Sequence, residues 1–237
     1  MIDFDFIKFY AMFSIIIIVA LLVCLVAVFF VRPNCKKKLL SVKEVAGAQA
    51  ENAVSSTLKN CCVQDGRCFE IFQNVYIPKS DGKGTTEIDI LLIHESGFYV
   101  FESKNIYGKL YGYLDSPEWT CYYGRKTQKF CNPIIQNSSH ILHLEKLMAL
   151  AEGQFKSYNI VVLGKNTQVI KIPKNTELFR IYDIYSLRAS FLRFVEEQPS
   201  IYGAQEVNGF CSKLSKYANA SEKIKQQHME CLKAKEK

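Results

Sequence analysis

Two carboxylates lie in stretches of sequence that are otherwise almost wholly apolar. Asp89 lies within TEIDILLI and Glu102 within FYVFESKN. Both stretches are rich in the β-branched and aromatic residues that are typical of covered strands. Burying a carboxylate without a partner costs free energy, so something must compensate the charge of these groups. Asp89 and Glu102 are therefore the first candidates for a functional site in this chain.

A short turn between the two stretches brings the two carboxylates together. If His94 pairs with Gly97 across a hairpin, Asp89 lies directly opposite Glu102, with Cβ atoms roughly 5 Å apart. Lys104 follows Glu102 by two residues and therefore lies on the same face of its strand. Two oxygen ligands and an ammonium suit a hard metal ion such as Mg²⁺. Metal-assisted hydrolysis of a phosphodiester requires these groups.

Two alternatives follow from the same residues. A turn of odd length without a bulge places Asp89 and Glu102 on opposite faces and removes the shared site. In the second alternative, Lys104 only forms a salt bridge with Glu87 or Glu102 on a partly solvated edge strand.

The surrounding pattern predicts an α/β (α+β) domain in which helices flank a mixed sheet. Asn132 followed by Pro133 predicts the start of a helix, through an N-cap and a proline at the first helical position. The predicted strands cover 68–78, 86–94, 97–105, 107–114, 118–123 and 159–164, and the predicted helices cover 39–59, 133–150, 184–196 and 204–218.

An uncharged apolar run of 22 residues covers 10–31. It is long enough to cross the ~30 Å hydrocarbon core of a bilayer as a helix. A cleaved signal peptide is the alternative, but it requires a basic n-region, whereas Asp3 and Asp5 make this one acidic. Lysine and arginine are concentrated after the run, from Arg32 onward. We therefore expect a single-pass membrane protein with its N-terminus outside and its large domain cytosolic.

The net charge of +7 at pH 7 favours anionic partners, either nucleic-acid phosphates or acidic lipid. Ordinary solubility charge combined with a membrane-orientation signal is the alternative explanation. Acidic lipid headgroups are expected near Lys36, Lys37 and Lys38, which directly follow the apolar run.

One part of the sequence, about residues 45–150, resembles the nuclease-related domain (NERD) family, a branch of the PD-(D/E)xK nuclease superfamily. The resemblance is carried by TTEIDILLIHESGFYVFESKNIYGKLYG, followed by WTCYY and FCNPIIQNSSH. The motifs in the family's order and approximate spacing are Ile88-Asp89, Gly97-Phe98, Glu102-x-Lys104, Gly108, Trp119 and Asn132-Pro133-x-x-Gln136. The resemblance implies a restriction-endonuclease-like mixed sheet flanked by helices.

The resemblance also implies roles for individual residues. Asp89, Glu102 and Glu51 would be ligands of a divalent ion, Mg²⁺ or Mn²⁺, and Lys104 would be the catalytic lysine. Glu51 would be the acidic residue of the first helix that completes the set. For Glu51, a solvated helix glutamate is the alternative.

Further candidates come from the second half of the matching region. Gln136 lies near the start of its helix, where phosphate is favoured, so we expect it to contact the scissile strand or to orient water. His140 shares roughly that face and fits a packing or supporting role better than a ligand role. Arg125 and Lys126 are candidate nucleic-acid-binding residues, near aromatic residues that are either a base-stacking surface or core: Tyr107, Tyr111, Tyr113, Trp119, Tyr122 and Tyr123.

The leading hypothesis is a membrane-anchored, divalent-metal-dependent nuclease that hydrolyses phosphodiester bonds of DNA or RNA at the cytosolic membrane face. The first alternative is a non-catalytic nucleic-acid-binding or scaffold module tethered to the membrane, and the second is a lipid-facing role of the basic segment alone. We expect this organisation: flank 1–9, transmembrane helix 10–31, basic juxtamembrane segment 32–44, nuclease-like core 45–150, a strand and helices completing the domain at 151–218, and a charged tail at 219–237.

Overall fold

The computed structural model describes residues 46–218, 220–221, 224–228 and 230. The apolar run at 10–31 and the basic segment at 32–44 lie outside these residues, so the predicted anchor stays a prediction. In the part of the chain that is described, no helix combines the length and the apolar character that crossing a bilayer requires.

Nine strands and four longer helices make up the described domain. The strands are β1 (Phe69–Pro78), β2 (Thr85–His94), β3 (Gly97–Lys104), β4 (Gly108–Tyr111), β5 (Glu118–Tyr123), β6 (Lys126–Cys131), β7 (Ser157–Leu163), β8 (Thr167–Lys171) and β9 (Phe179–Asp183). The helices are α1 (46–65), α2 (Pro133–Met148), α3 (Leu187–Glu196) and α4 (Ala204–Ala218). Residues 224–228 are also helical.

The first sheet has five strands in the order β1-β2-β3-β7-β9. β2 pairs antiparallel with both β1 and β3, whereas β7 pairs in parallel with β3 and β9 pairs in parallel with β7. β3 therefore lies in the middle of the sheet, between β2 and β7. The alternative for Lys104 is wrong in placing this residue on an edge strand, because the neighbour of β3 on the side away from β2 is the buried strand β7. The salt bridge with Glu102 that the same alternative predicted is present.

Helices cover both faces of the first sheet. Apolar residues of α1 and α3, such as Leu58 and Phe191, pack with Phe101 on one face. Leu144 of α2 and Leu214 of α4 belong to the apolar cluster on the other face. Because both faces are buried, β2 and β3 read as nearly continuous apolar runs rather than alternating ones. The mixed α/β architecture that the sequence predicts is confirmed.

A second sheet of four strands, in the order β6-β5-β4-β8, was not expected from the sequence. It packs on the first through Leu110 and Trp119, which cluster with Val161 of β7. β6 and β8 were missed because their residues are largely polar or exposed, so neither shows the apolar pattern of a strand. The expectation of a single mixed sheet is therefore corrected to two mixed sheets flanked by helices.

Three helix boundaries also differ from the prediction, of which the smallest change is the end of α2 at Met148 rather than at 150. α1 continues past residue 59 to residue 65 because Cys61 and Cys62 are buried, and it ends at Gly66, whose φ is +82°. α3 begins at Leu187 rather than at 184 because the Asp183 carboxylate accepts hydrogen bonds from the backbone N–H groups of residues 185 and 186, which form a turn instead. The predicted helix at 204–218 is confirmed.

Gly108 starts β4 at φ +125°, and a Cβ atom at this position would collide with the backbone carbonyl oxygen of Tyr122. We expect Gly108→Ala to lower the free energy of unfolding by about 2–3 kcal/mol, because neither the left-handed backbone nor the clash is relieved by a side-chain movement. Urea denaturation monitored by circular dichroism measures this change. Gly209→Ala is the matched control: open space surrounds Gly209 inside α4, so this change should raise stability by about 0.5–1 kcal/mol.

Candidate active site

The hairpin between β2 and β3 has the predicted register. Pairing runs from His94 opposite Gly97 to Ile90 opposite Phe101. In this register, the next opposed pair of residues is Asp89 and Glu102. The recorded ladder stops at Ile90 although both strands continue. Beyond this point the Asp89 carboxylate accepts a hydrogen bond of 2.8 Å from the backbone N–H of Ser103. The two carboxylates therefore meet where β2 and β3 stop pairing.

Glu102 is the most deeply buried carboxylate of this region, with 2% of its surface exposed. Its Oε1 lies 2.6 Å from Nζ of Lys104, and its Oε2 lies 3.5 Å from Nε2 of His140. Burial alone would raise the pKa of Glu102, but the facing His140 and the Lys104 ammonium outweigh burial and lower it. Glu102 is therefore ionised at neutral pH, although its Oε2 has no hydrogen-bond partner among the described residues.

Asp89 has the opposite electrostatic balance. Burial, followed by the negative charge of Glu102, raises the pKa of Asp89 well above its ordinary value, and the bond from Ser103 and the charge of Lys104 offset only part of this rise. One ammonium thus faces two carboxylates. The pair is short of positive charge, and an additional cation at this point would stabilise it.

Lys104 connects the carboxylates to α2. Its Nζ lies 3.2 Å from Oε1 of Gln136, in addition to its contact with Glu102. Burial would lower the pKa of Lys104, but the Glu102 carboxylate raises it above its ordinary value, so the side chain stays charged. About a fifth of the Lys104 side chain, 22%, is exposed to solvent.

The start of α2 positions Gln136 and His140. The side chain of Asn132 caps the helix by accepting a hydrogen bond from the backbone N–H of Ile134, and Pro133 occupies the first turn, as predicted. Gln136 then faces Lys104, and the buried His140 reaches Glu102 while its Nδ1 lies 2.7 Å from Oγ1 of Thr86. The supporting role predicted for His140 agrees with these contacts.

Glu51 of α1 approaches the same region but does not complete a ligand set. Burial, followed by the charges of Glu87 and Glu102, raises the pKa of Glu51. Across the described residues, no group of three or more His, Cys, Asp or Glu side chains is placed to hold one metal ion. The ligand role of Glu51 therefore stays a prediction. Glu87, which accepts a hydrogen bond from Tyr76, is an acidic neighbour that the sequence did not single out as a site residue.

Arg125 and Lys126 lie apart from this set. Both are exposed at the tight connection between β5 and β6 of the second sheet, whereas the carboxylates lie on strands of the first. Sequence proximity to aromatic residues was the only signal that grouped them with the site.

A second polar cluster joins a serine, a histidine and an aspartate near the β2–β3 turn. Oδ2 of Asp65 lies 3.0 Å from Nε2 of His94, and Nδ1 of His94 lies 2.7 Å from Oγ of Ser96. These three residue types are those of a catalytic triad of nucleophile, base and acid. However, His94 and Ser96 are fully buried, and Oγ of Ser96 is also hydrogen-bonded to the Tyr99 hydroxyl. No substrate can reach this serine, so the cluster stabilises the fold.

Comparisons with known proteins concern the family of the chain. An uncharacterized protein of Bacillus anthracis is 37% identical over 84 residues, which cover 35% of this chain and 39% of that relative. The match thus spans about two fifths of the relative's length. No solved structure matches the chain. The family model described as "Nuclease-related domain", NERD, matches residues 46–164, which is half of the chain and includes β7 as well as every candidate residue discussed above from Glu51 to Gln136. The chain belongs to the nuclease-related domain family.

Proposed function

We propose that this chain is a divalent-metal-dependent nuclease that hydrolyses phosphodiester bonds of DNA or RNA. The family supports a nuclease-related function in general terms. The observation that carries the specific proposal is the buried Glu102, held between Lys104 and His140 and next in line with Asp89. Charge pairs of this kind are costly to bury, and a site that gathers them is best explained by chemistry.

The residues at this site fit a hard divalent ion. Glu102 Oε2 is a buried oxygen without a hydrogen-bond partner among the described residues, and burial, followed by the negative charge of Glu102, raises the pKa of Asp89. Mg²⁺ binds through one or two carboxylates and keeps its remaining positions for water and substrate phosphate. Asp89 and Glu102 would therefore hold the ion, and Glu51 would be an additional ligand. When bound, Mg²⁺ or Mn²⁺ would supply an activated water and neutralise charge on phosphate.

Three side chains around the carboxylates, Lys104, Gln136 and His140, would each have a separate role in the reaction. The Lys104 ammonium, which Glu102 holds on a partly exposed side chain, would position the attacking water or stabilise the negative charge that develops on phosphorus oxygens. Gln136 fixes Lys104 from the other side and lies in the first turn of α2, where phosphate is favoured. His140 would keep the Glu102 carboxylate in one orientation.

A cleavage assay on the full-length protein tests this proposal. Single-stranded DNA, duplex DNA and RNA are each incubated with Mg²⁺, Mn²⁺ or EDTA, and metal binding is followed by thermal denaturation. We expect cleavage of at least one substrate with Mg²⁺ or Mn²⁺ and none with EDTA, together with a rise in melting temperature on adding metal. Failure to cut any substrate, with no metal-dependent change in melting temperature, would contradict the proposal and leave a non-catalytic binding or scaffold module.

We further propose that residues 10–31 anchor the chain in a membrane, with the large domain cytosolic. The support is the uncharged apolar run and the excess of lysine and arginine after it, of which Lys36, Lys37 and Lys38 would meet acidic headgroups. Protease treatment of intact and of opened cells distinguishes the orientations. The domain should be protected in intact cells and cleaved after opening, and cleavage in intact cells would reverse the orientation.

A further inference from the structure

The outward face of the second sheet carries a groove of about 490 Å³. Residues of β4 and β5 alternate, so that Leu110 and Trp119 point into the apolar cluster against the first sheet while their neighbours line the groove. We call this surface the tyrosine face. Its lining consists of Lys109, Tyr111, Tyr113, Ser116, Glu118, Thr120 and Tyr122.

Aromatic rings on the tyrosine face are open to solvent. Tyr113 is 54% exposed and Tyr122 is 45% exposed, while Tyr111 lies edge-on to Tyr122 with ring centroids 5.5 Å apart. The six aromatic residues singled out from the sequence therefore separate into different groups. Trp119 is fully buried, and Tyr123 lies on the opposite side of its strand from Tyr122, where it contacts Tyr107.

Positive charge surrounds these rings. Lys109 lines the groove, and Nζ of Lys171 lies 4.6 Å from the ring centre of Tyr113. Lys129 pairs across the sheet with Thr120 and lies 3.7 Å from the carboxylate of Glu118, the acidic residue of the lining. Three lysines against one glutamate leave the face positive. A row of solvent-facing rings with flanking lysines complements a strand of bases and phosphates.

Hydrogen bonds of Asn132 link the tyrosine face to the candidate active site. The Asn132 side chain donates to the backbone carbonyl of Tyr113 at 3.1 Å, and its oxygen caps the helix that presents Gln136 to Lys104. The chain also connects the two directly, since only residues 105–107 separate Lys104 from Gly108 at the start of β4. The Cα atoms of Lys104 and Gly108 therefore lie within about 14 Å of each other.

We propose that the tyrosine face binds single-stranded nucleic acid and leads the strand to the carboxylate site. Bases stack on Tyr113 and Tyr122, and phosphates contact Lys109 and Lys171. This inference rests on the proposed nuclease function and specifies its substrate class as a single strand. Duplexes bind less well, because paired bases do not offer their flat faces to a ring.

The experiment measures binding to the full-length protein in EDTA, so that cleavage does not interfere. The probes are fluorescent oligothymidylate and oligouridylate of about a dozen nucleotides and a duplex of the same length. Tyr113→Ala and Tyr122→Ala should each weaken single-strand binding roughly tenfold, whereas Tyr122→Phe keeps the ring and should bind as the parent does. The double change Lys109→Ala/Lys171→Ala should reduce the magnitude of the negative slope of log K against log salt by about 1.4.

Two further variants sharpen the test. Tyr185→Ala/Arg188→Ala alters an exposed aromatic and an exposed basic residue near the start of α3, outside the lining of the tyrosine face, and should leave single-strand binding unchanged. Glu118→Gln removes the carboxylate from the face and should tighten binding. If Tyr113→Ala and Tyr122→Ala weaken the binding of oligothymidylate and oligouridylate equally, the face contacts bases and phosphates without distinguishing deoxyribose from ribose.

The outcomes separate this inference from the nuclease proposal. Cleavage by a parent protein whose Tyr113→Ala and Tyr122→Ala variants bind single strands normally would overturn the tyrosine face and leave the nuclease intact. Weaker binding by those variants with no cleavage by the parent would support the face and reject the nuclease. Duplex binding that is tighter than single-strand binding would also overturn the face.

Discussion

Asp89→Asn is expected to lower metal-dependent cleavage by about 100-fold or more while making the metal-free protein more stable. The rate falls because a neutral amide is a poor ligand for a hard cation, and losing even part of the charge stabilisation at phosphate costs several kcal/mol of barrier. Stability rises because burial and Glu102 already disfavour a charged group at this position. Asparagine keeps an oxygen that can accept the hydrogen bond from Ser103. The expected gain is on the order of 1 kcal/mol, measured by urea denaturation in EDTA.

Lys104→Met is the comparison variant for Asp89→Asn, because the two changes should have opposite effects on stability. It should lower cleavage similarly but reduce stability, because Glu102 and Asp89 then lose the cation that they share. Asp115→Asn, at an exposed loop position, should change neither property. An Asp89→Asn variant that cuts at the parental rate, or that is less stable than the parent, would reject the paired-carboxylate interpretation.

Asp65→Ala is expected to reduce the free energy of unfolding by about 3–5 kcal/mol without any change in the carboxylate site. The Asp65 carboxylate accepts two hydrogen bonds from Arg67 and contacts the fully buried His94. Arg67 in turn donates to the backbone carbonyls of Val195 and Gln198 at the end of α3. Removing Asp65 leaves the guanidinium without its counterion and a ring nitrogen without its partner.

Urea denaturation at neutral pH measures the loss at Asp65, and Asp115→Ala serves as an exposed control that should stay within about 0.5 kcal/mol of the parent. Binding of oligothymidylate by the Asp65→Ala protein at low temperature should be parental, because the tyrosine face lies on the other sheet. A loss of less than 1 kcal/mol would show that the cluster is not a major support of the hairpin.

The register of the β2–β3 hairpin could be predicted because several local signals agree there. Two apolar runs flank a short turn, Gly97 adopts φ +142°, and a strand period of two then fixes which side chains share a face. Lys104, two residues beyond Glu102, follows by the same rule. The start of α2 was equally predictable, since Asn132 and Pro133 act within one helical turn.

Other features depend on contacts between distant parts of the chain and gave no local signal. Asp65 and His94 are 29 residues apart, and neither has a neighbour that marks it as half of a pair. In the second sheet, β8 has mostly exposed residues and pairs with β4 from far along the sequence. The sequence predicts that these tyrosines lie on strands rich in aromatic residues. Which of their rings face solvent depends on the packing of Trp119 against the first sheet, which the sequence alone does not show.

The central position of β3 has a consequence for the order in which the protein assembles. The strand that carries Glu102 and Lys104 has β2 as an immediate partner, but its other partner, β7, lies more than fifty residues later, at Ser157–Leu163. During synthesis every proposed catalytic residue therefore leaves the ribosome while one side of β3 still presents unpaired backbone groups. Parallel pairing of strands that are so far apart in sequence is slow. Until it occurs, the unpaired edge of an apolar strand can form hydrogen bonds with other chains. The interval before β7 arrives is thus the stage at which this nascent domain is most exposed to aggregation.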